Sequence, residues 1–335
     1  MASTAATPDA RAAAEIRKGR IEVLCLSEDD VTELLDPGQL LDALGDGFRR
    51  LALGEVQTPA RPEIRIPQLG FSLAMPAWSE GANIAVKVVN VFDGNLALGL
   101  PSHLATINLF DPRTGAPRCI MDGTHITAMR TAGSAVLSVR ELARADAQTV
   151  TVIGAGVQGR EHLRLLPLVR AFKDIRLVSL YTAEAERLAA QFPNVRAVAN
   201  AEAAVRESDV VCLATHSSVP VIEADWVQPG THVTSVGYFP PRGELPFALA
   251  RRHRLFVESA DSFAPPPVGC AELQGLDSGT GTALGDMLLG HRPGRCSAEQ
   301  ITIYKAMGTA MEDLVAAELV YARARQRRVG TVVAF

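Results

Sequence analysis

The stretch Thr149-Val-Thr-Val-Ile153 leads directly into Gly154-Ala-Gly-Val-Gln-Gly159, and this junction decides the fold. A continuous β-branched run of this kind is typical of a strand that is buried on both faces. In the loop, Gly154 allows a tight turn, Gly156 lets the backbone approach a pyrophosphate, and Gly159 lets a helix pack closely on the strand. The helix that starts here would direct unpaired N–H groups and the positive end of its dipole at the phosphates. We therefore expect a dinucleotide site with these contacts from the loop: Gly154, Gly156, Val157, Gln158 and Gly159.

Segments typical of strands and of helices alternate along the chain after this loop. Such alternation, with connections of only a few residues, predicts a parallel sheet covered by helices on both faces. The expected strands are Ile175–Tyr181, Val195–Val198, Asp209–Ala214, His232–Val236 and Leu255–Glu258. The expected helices are His162–Phe172, with a kink at Pro167, Ala183–Phe192, Ala201–Glu207 and a long helix over Ser297–Val320.

The chain before the glycine loop has a different pattern. A strand at Ile21–Leu26 precedes a helix that Ser27 can cap, and a second helix follows over Pro37–Leu53. Turn signals at close intervals predict a mainly antiparallel sheet within 70–119. An Ala-rich segment without internal proline then predicts one long helix over Ile126–Arg144.

The two patterns divide the chain into domains. We expect an α/β protein in which a Rossmann-type nucleotide domain, 127–312, is inserted into a discontinuous α+β domain made of 21–126 and 313–335. Residues 1–20 are expected to form a flexible tail. Because charged residues interrupt the alanines of this tail, it does not have the pattern of a signal peptide.

Composition excludes several classes of protein. The 335 residues are 47% hydrophobic and carry 33 Lys+Arg against 37 Asp+Glu, as in an ordinary globular protein. The net charge of −4 leaves no basic surplus for a nucleic-acid partner. The longest uncharged stretch, 94–110, contains Pro101 and His103, so we expect no membrane span. The five cysteines show no zinc-binding spacing, which predicts reduced thiols in a cytoplasmic protein without a metal site.

The choice of nucleotide depends on the end of the second strand of the nucleotide domain. An NAD site usually has an acidic residue there for the ribose 2′-OH, and an NADP site usually has an arginine. The sequence has Tyr181 and Thr182 instead, which we take as cofactor-binding candidates. Neither of these residues has a carboxylate that would repel a 2′-phosphate, and Thr182 could donate a hydrogen bond to that phosphate. The cofactor is therefore NADPH or NADH, and the pattern slightly favours NADPH.

Several segments, in the same order along the chain, resemble the ornithine cyclodeaminase/mu-crystallin family. The resemblance covers most of residues 20–330. The segments that carry it are Met75-Pro-Ala-Trp78, Ala85-Val-Lys-Val-Val-Asn90, Gly99-Leu-Pro-Ser-His-Leu-Ala-Thr106, Met121-Asp-Gly123, Ile126-Thr-Ala-Met-Arg-Thr-Ala132, Val152-Ile-Gly-Ala-Gly-Val-Gln-Gly159, Lys305-Ala-Met-Gly308 and Met311-Glu-Asp313.

The resemblance implies a homodimer that transfers a hydride to or from a small amino or imino acid. The non-Rossmann domain would hold the substrate and the subunit contact, and the nicotinamide would lie in the cleft between the domains. The protein would then be an NAD(P)-dependent oxidoreductase acting on CH–NH or C=N bonds. We expect it to reduce a small α-imino acid, either a ketimine or a cyclic imine, or to run the reverse dehydrogenation.

The residues agree with that chemistry. Reducing a C=N bond next to a carboxylate needs a cation for the carboxylate and a group that manages the proton on nitrogen. The family has a carboxylate-binding arginine at the position of Arg130, and Arg61 is a second candidate, with Arg65 as its competitor. Lys87 lies in an apolar strand, where an uncompensated ammonium is costly, and it is both a catalytic and a substrate-binding candidate. The remaining candidates are Met75 for the substrate, and Thr131 and Thr215 for the cofactor.

One departure from the family pattern bears on the reaction. Ornithine cyclodeaminases have an aspartate shortly after the fifth Rossmann strand, where this chain has Phe239. An aromatic ring cannot hold an ammonium by charge or accept its proton. A cyclodeaminase with tightly bound NAD is therefore disfavoured, but it remains an alternative, as does a nucleotide-dependent binding protein without turnover. His103 matches the reductase branch and could be structural or catalytic.

Overall fold

The structure, a computed structural model, describes residues 21–334, so the expected tail at 1–20 lies outside the described residues. Nine α-helices lie within the described part: α1 (Glu28–Leu34), α2 (Pro37–Ala52), α3 (Thr124–Leu142), α4 (Val157–Val169), α5 (Thr182–Ala189), α6 (Ala201–Arg206), α7 (Phe247–Arg252), α8 (Leu284–Leu288) and α9 (Ala310–Arg327). The strands are β1 (Glu22–Leu26), β2 (Val56–Gln57), β3 (Glu63–Ile66), β4 (Gly70–Ser79), β5 (Ile84–Val91), β6 (His103–Phe110), β7 (Pro117–Asp122), β8 (Thr149–Ile153), β9 (Asp174–Val178), β10 (Val195–Ala197), β11 (Val210–Leu213), β12 (His232–Ser235), β13 (Arg254–Val257), β14 (Gly281–Ala283), β15 (Thr302–Lys305) and β16 (Thr331–Ala334).

The strand before the glycine loop lies inside an eight-stranded sheet. Its order is β10-β9-β8-β11-β12-β15-β13-β14, and every neighbouring pair is parallel. The chain moves outward from β8 in one direction to β9 and in the other to β11, so the glycine loop leaves the sheet at its topological switch point. Ligands of such sheets bind in the crevice at the carboxyl ends of the strands, beside this point. The predicted α/β class is therefore confirmed.

The second sheet is mainly antiparallel, as the turn signals predict. Its order is β16-β1-β7-β6-β5-β4-β2, with β3 paired to β4. Strand β1 runs parallel to β7 and antiparallel to β16, so both ends of the described chain meet in this sheet. In its centre, Lys87 on β5 lies opposite Met75 on β4 and Ile107 on β6.

Helices α3 and α9 connect the two sheets to the region of the candidate active site described below. Helix α3 is buried over most of its length and packs against α2 and α4, and α9 packs against α2 and β5. Helix α1 begins at Ser27, whose hydroxyl accepts from the N–H of Asp30 while the Asp30 carboxylate accepts from the N–H of Ser27. This reciprocal cap confirms the predicted helix start.

The expected long helix over Ser297–Val320 is wrong. Thr302–Lys305 forms β15, which is buried between β12 and β13, and a helix begins only at Ala310. The run Ile301-Thr-Ile-Tyr304 is β-branched and aromatic, which favours a strand when both faces of the sheet are covered. Thr309 and Glu312 then cap the helix reciprocally.

The helix after the glycine loop also differs from its predicted bounds. It begins at Val157 instead of His162, because Gly156 is its N-cap and the turn leads straight into the helix. It includes Pro167 and ends at Val169. Among the helices of residues 21–334, none combines the length and the apolar character needed to cross a bilayer.

Candidate active site

The three glycines of the loop differ in what surrounds the position where a Cβ would lie. Gly154 has a φ of 118°, and a Cβ there would overlap the carbonyl oxygen of Ala214. A Cβ on Gly159 would overlap the carbonyl oxygen of Gly154, so the start of α4 packs directly on the turn. No atom lies within 4 Å of the Cβ position of Gly156, which faces open space. The backbone at Gly156 is therefore accessible to a phosphate group.

The start of α4 is suited to an anion. Its N-cap makes no side-chain capping hydrogen bond, and Val157 is 63% exposed. The Nε2 of Gln158 donates to the carbonyl oxygen of Ala128 on α3 at 3.4 Å, while its buried Oε1 has no partner within residues 21–334. Thr131, a cofactor candidate on α3, lies one turn after Ala128 and is partly buried. Free N–H groups and an open approach fit a pyrophosphate at this place, whereas the unpaired Oε1 of Gln158, an acceptor, does not contribute to anion binding.

The end of β9 leaves the second candidate pair exposed. Tyr181 is 64% exposed and Thr182 begins α5, which has no side-chain cap. The structure adds a carboxylate that sequence reasoning missed, since Ser179 donates to Glu184 on the first turn of α5 at 3.2 Å. Arg187 on the same helix bonds to a carbonyl oxygen of its own turn. No signature in this region is decisive for NAD or for NADP.

Lys87 and Arg130 lie together in a buried group of charges, which we call the ion cluster and define as Lys87, Arg130, Glu312 and Asp313. The Nζ of Lys87 is 2.7 Å from one carboxylate oxygen of Asp313. The Nε of Arg130 is 3.1 Å from the other, and its Nη1 is 3.1 Å from Glu312. Lys87 is 1% exposed and Arg130 is 5% exposed. One carboxylate, Asp313, therefore joins the two candidate cations of the substrate site.

The environment of the ion cluster shifts its pKa values in opposite directions. Burial, with the neighbouring charge of Arg130, lowers the pKa of Lys87 to about 8. Burial opposes ionisation of Arg130 as well, but Asp313 and Glu312 outweigh it and raise the pKa of that guanidinium. Burial and the nearby carboxylate of Glu258 raise the pKa of Glu312 well above its usual range. Lys87 can thus exchange a proton near neutral pH, while Arg130 keeps its charge.

Sequence reasoning missed the two carboxylates of the ion cluster. Glu312 and Asp313 lie in the quoted Met311-Glu-Asp313 run, but adjacent acidic residues at a helix start are common, and only the fold brings them to Lys87 and Arg130. The guanidinium of Arg130 is already engaged by two carboxylates, through its Nε with Asp313 and its Nη1 with Glu312.

Arg61 and Arg65 occupy different environments. Arg61 donates to the carbonyl oxygens of Val268 at 2.7 Å and Gly308 at 3.3 Å, and it lines a cleft with the buried Met75. Arg65 lies on β3 with 69% of its side chain exposed and pairs with Glu63 at 2.6 Å. Of the two candidates, the structure brings Arg61 into the cleft.

Gly308 joins the two arginines. Its carbonyl oxygen accepts from Arg61, and a Cβ on it would overlap the guanidinium of Arg130. Its φ of 80° suits glycine, and its N–H donates to Glu258 at 2.8 Å. This explains the glycine in Lys305-Ala-Met-Gly308.

Phe239 lies beside His216, which in turn neighbours His103. The rings of His216 and Phe239 are 4.3 Å apart and meet edge to face at 82°. His216 Nε2 is also 3.7 Å from Asp93 Oδ1. Burial, with His216 and Lys87 as neighbouring charges, lowers the pKa of His103. Residue 239 itself is therefore an aromatic ring, while the carboxylate of Asp93 lies nearby, against His216.

A model of the ornithine cyclodeaminase/mu-crystallin family matches residues 22–328 of the chain. The chain belongs to this family. Ketimine reductase mu-crystallin of Mus musculus is 33% identical to it over 304 residues, which are 88% of this chain and 96% of the mouse protein. The predicted family is confirmed.

Solved structures of family members have the same fold. The Δ1-pyrroline-2-carboxylate reductase of Thermococcus litoralis, in complex with NADH and L-proline, matches with a TM-score of 0.87 and 33% identity, covering 92% of this chain and 99% of its own. An archaeal alanine dehydrogenase dimer with bound NAD matches with a TM-score of 0.84 and 27% identity, covering 94% and 100%. Within residues 21–334, the structure contains no group of three or more His, Cys, Asp or Glu side chains suited to a metal ion.

Proposed function

We propose that this family member is an NAD(P)H-dependent reductase that converts a small α-imino acid to the amino acid, with the reverse dehydrogenation as the same step run backwards. The observation that carries the proposal is the buried pairing of Lys87 with Arg130 through Asp313, next to the nucleotide loop. Helix α3 makes this connection, since Ala128 contacts Gln158 of the loop and Arg130 belongs to the ion cluster. This link through α3 supports placing the proton-exchanging lysine and its cationic partner on the same side as the nucleotide loop in the proposal.

The relatives support the same class of reaction. The mouse relative is named a ketimine reductase, and the T. litoralis relative is a Δ1-pyrroline-2-carboxylate reductase whose structure holds NADH and L-proline. Proline is the reduced partner of a cyclic imine with a carboxylate on the imine carbon. The prediction of an oxidoreductase acting on C=N or CH–NH bonds is therefore confirmed at the level of the family.

The charged candidates Lys87, Arg61 and Arg130 each have a role in this reaction. A bound NAD(P)H would supply the hydride to the imine carbon. The nitrogen then takes one proton, so the C=N bond becomes a CH–NH bond and the charges balance. Protonated Lys87, with a pKa near 8, can donate that proton or orient the carboxylate. Arg61 and Arg130 offer charge to the carboxylate.

Cyclodeamination is less well supported by the site. Phe239 and His216 form an aromatic contact where an acid would have to bind a second amino group. A cyclodeaminase would release ammonia without net consumption of NADH, whereas a binding protein would neither release ammonia nor consume NADH. These outcomes separate the alternatives from a reductase.

The wider organisation follows the same proposal. The domain division at 126/127 and 312/313 and the cytoplasmic location stay predictions. A homodimer is supported by the dimeric archaeal alanine dehydrogenase. The slight preference for NADPH stays a prediction, because the helix that Thr182 begins carries both Arg187, bonded to the carbonyl oxygen of Ala183, and Glu184, bonded to Ser179.

The test is a panel of cyclic and acyclic imino acids followed at the absorbance of the reduced nicotinamide, with NADH and NADPH in parallel. We expect consumption of at least one nucleotide with a small α-imino acid. Ammonia release should be assayed in parallel reactions in which ornithine, lysine or alanine is the substrate. Ammonia release without nucleotide turnover would replace the proposal with the cyclodeaminase, and no turnover with any substrate would favour the binding protein.

A further inference from the structure

A fully buried carboxylate outside the ion cluster connects the two strand ends next to the glycine loop. Glu244 lies in the connection between β12 and α7 and is 0% exposed. Its Oε2 accepts from the N–H and the Oγ1 of Thr215, at 2.6 and 2.7 Å. Thr215 lies two residues beyond β11. One oxygen of Glu244 therefore holds the chain that leaves β11.

The other oxygen holds the chain that leaves β12. Oε1 accepts from the Oγ of Ser235 at 2.9 Å and from the N–H groups of Val236 at 3.1 Å and Gly237 at 2.7 Å. A Cβ on Gly237 would collide with both Glu244 and the carbonyl oxygen of Thr215. The three segments are therefore packed directly against one another, with no room for a side chain between them.

Lys305 adds the end of a third strand to this arrangement. It is the last residue of β15, is 0% exposed, and donates to the carbonyl oxygen of Gly237 at 2.6 Å and to the Oγ of Ser235 at 3.2 Å. Its Nζ also pairs with Glu272 at 2.9 Å. The carboxyl ends of β11, β12 and β15 are thus tied by charge-assisted hydrogen bonds, which are stronger than neutral ones.

The position of these strand ends in the sheet indicates which half of a dinucleotide would lie beside them. In a doubly wound sheet, a dinucleotide lies across the switch point, with one mononucleotide half on each side. The glycine loop leaves β8 at this point, with β9 on one side of β8 and β11 and β12 on the other. The half of the cofactor that carries the nicotinamide would therefore lie on the side that Glu244 organises.

We infer that Glu244 is a positioning residue for the nicotinamide half of the cofactor, acting through the backbone of Thr215 and Gly237. This inference rests on the proposed nucleotide-dependent function. Glu244 is fully buried and both of its carboxylate oxygens are occupied by donors of the two loops, so it would not touch the nicotinamide. Its action is to fix the two loops before the nucleotide binds.

The substitution E244Q tests this with almost no change in size. A glutamine has one acceptor oxygen, so it cannot accept from both loops. With its oxygen toward Gly237, its NH2 group would face the N–H of Thr215, and the loop after β11 would move. G237A perturbs the same contact from the other side by adding a methyl group between Thr215 and Glu244. The matched control is E223Q, on an exposed glutamate in the same region of the chain.

The measurement is the dissociation constant of NADH, or of NADPH where the wild type prefers it, against that of ADP. ADP carries the adenosine pyrophosphate half alone and uses the glycine loop. We expect E244Q and G237A to weaken the dinucleotide about tenfold, the effect of losing a hydrogen bond to a charged group, and to leave the affinity for ADP as in the wild type. E223Q should change neither. Thermal melting of each variant without ligand gives its folded fraction.

Two results would overturn the inference. If E244Q and G237A lose ADP and dinucleotide affinity together, or do not fold, then Glu244 is a structural residue of the sheet. If both variants bind both ligands as the wild type does, the loops do not need Glu244. A wild-type protein that binds neither ADP nor a dinucleotide would instead refute the proposed function itself.

Discussion

Replacing Lys87 with methionine separates its catalytic role from a structural one. The pKa of Lys87 is about 8 in the native protein, against an ordinary value of 10.5. The native state therefore binds this proton less tightly than the unfolded chain does. Below pH 8 the buried ammonium destabilises the native state by about 3 kcal/mol, and this cost decreases above pH 8 until it disappears above 10.5.

Methionine has a similar length and no charge, and Asp313 keeps its contact with Arg130 at 3.1 Å. We therefore expect K87M to be as stable as the wild type, or up to about 3 kcal/mol more stable, at pH 7. Turnover should fall by about 10²- to 10⁴-fold, the usual contribution of a positioned proton donor. Affinity for the nucleotide should not change, since Lys87 lies outside the glycine loop.

The assays are kcat for imine reduction, the dissociation constant of the nucleotide, and urea unfolding at pH 7 and pH 10. The stability difference should shrink at pH 10, because the wild-type lysine is then mostly neutral. R65M is the matched control, since Arg65 is an exposed cation on the same sheet. A K87M protein that is clearly less stable than the wild type but turns over normally would refute the reasoning and make Lys87 a structural ion-pair partner.

Three further predictions concern the same region. G156V should weaken nucleotide binding at least about tenfold without lowering the melting temperature, because its side chain enters open space where a phosphate would lie, whereas G159A should lower the melting temperature because its methyl group meets the turn. The reductive kcat/KM should be constant below pH 8 and fall as the pH rises above 8, because the protonated form of Lys87 is required; a profile that is flat to pH 10 would contradict this. D313N should destabilise the protein by about 3 kcal/mol in urea unfolding and move the inflection of the pH profile downward, because it leaves Lys87 and Arg130 as two buried cations without their shared carboxylate; an unchanged inflection would show that Asp313 does not tune the lysine.

Sequence alone predicted those parts of the fold whose signals are local. The strand into the glycine loop, the alternation after it and the antiparallel segment before it all have periodic patterns within a few residues. The expected helix over Ser297–Val320 failed for the opposite reason. Within it, Thr302–Lys305 is too short for periodicity to separate a strand from part of a helix, and its pairing with β12 and β13 makes it a strand.

The glycine loop and the candidate cations could be predicted from the sequence alone, because glycine in a turn and a lysine in an apolar strand are informative without any knowledge of their neighbours. Only the tertiary structure decided what the cations meet. Arg130 and Asp313 are 183 residues apart in the chain, and the sequence gives no sign of their pairing. The same is true of Glu244. In the sequence it is one glutamate in a loop, and only the folded chain brings five hydrogen-bond donors from two strand ends to its carboxylate. Charge pairing and hydrogen bonding act over a few ångströms, so the packing of the two sheets determined which polar groups came within reach of each other.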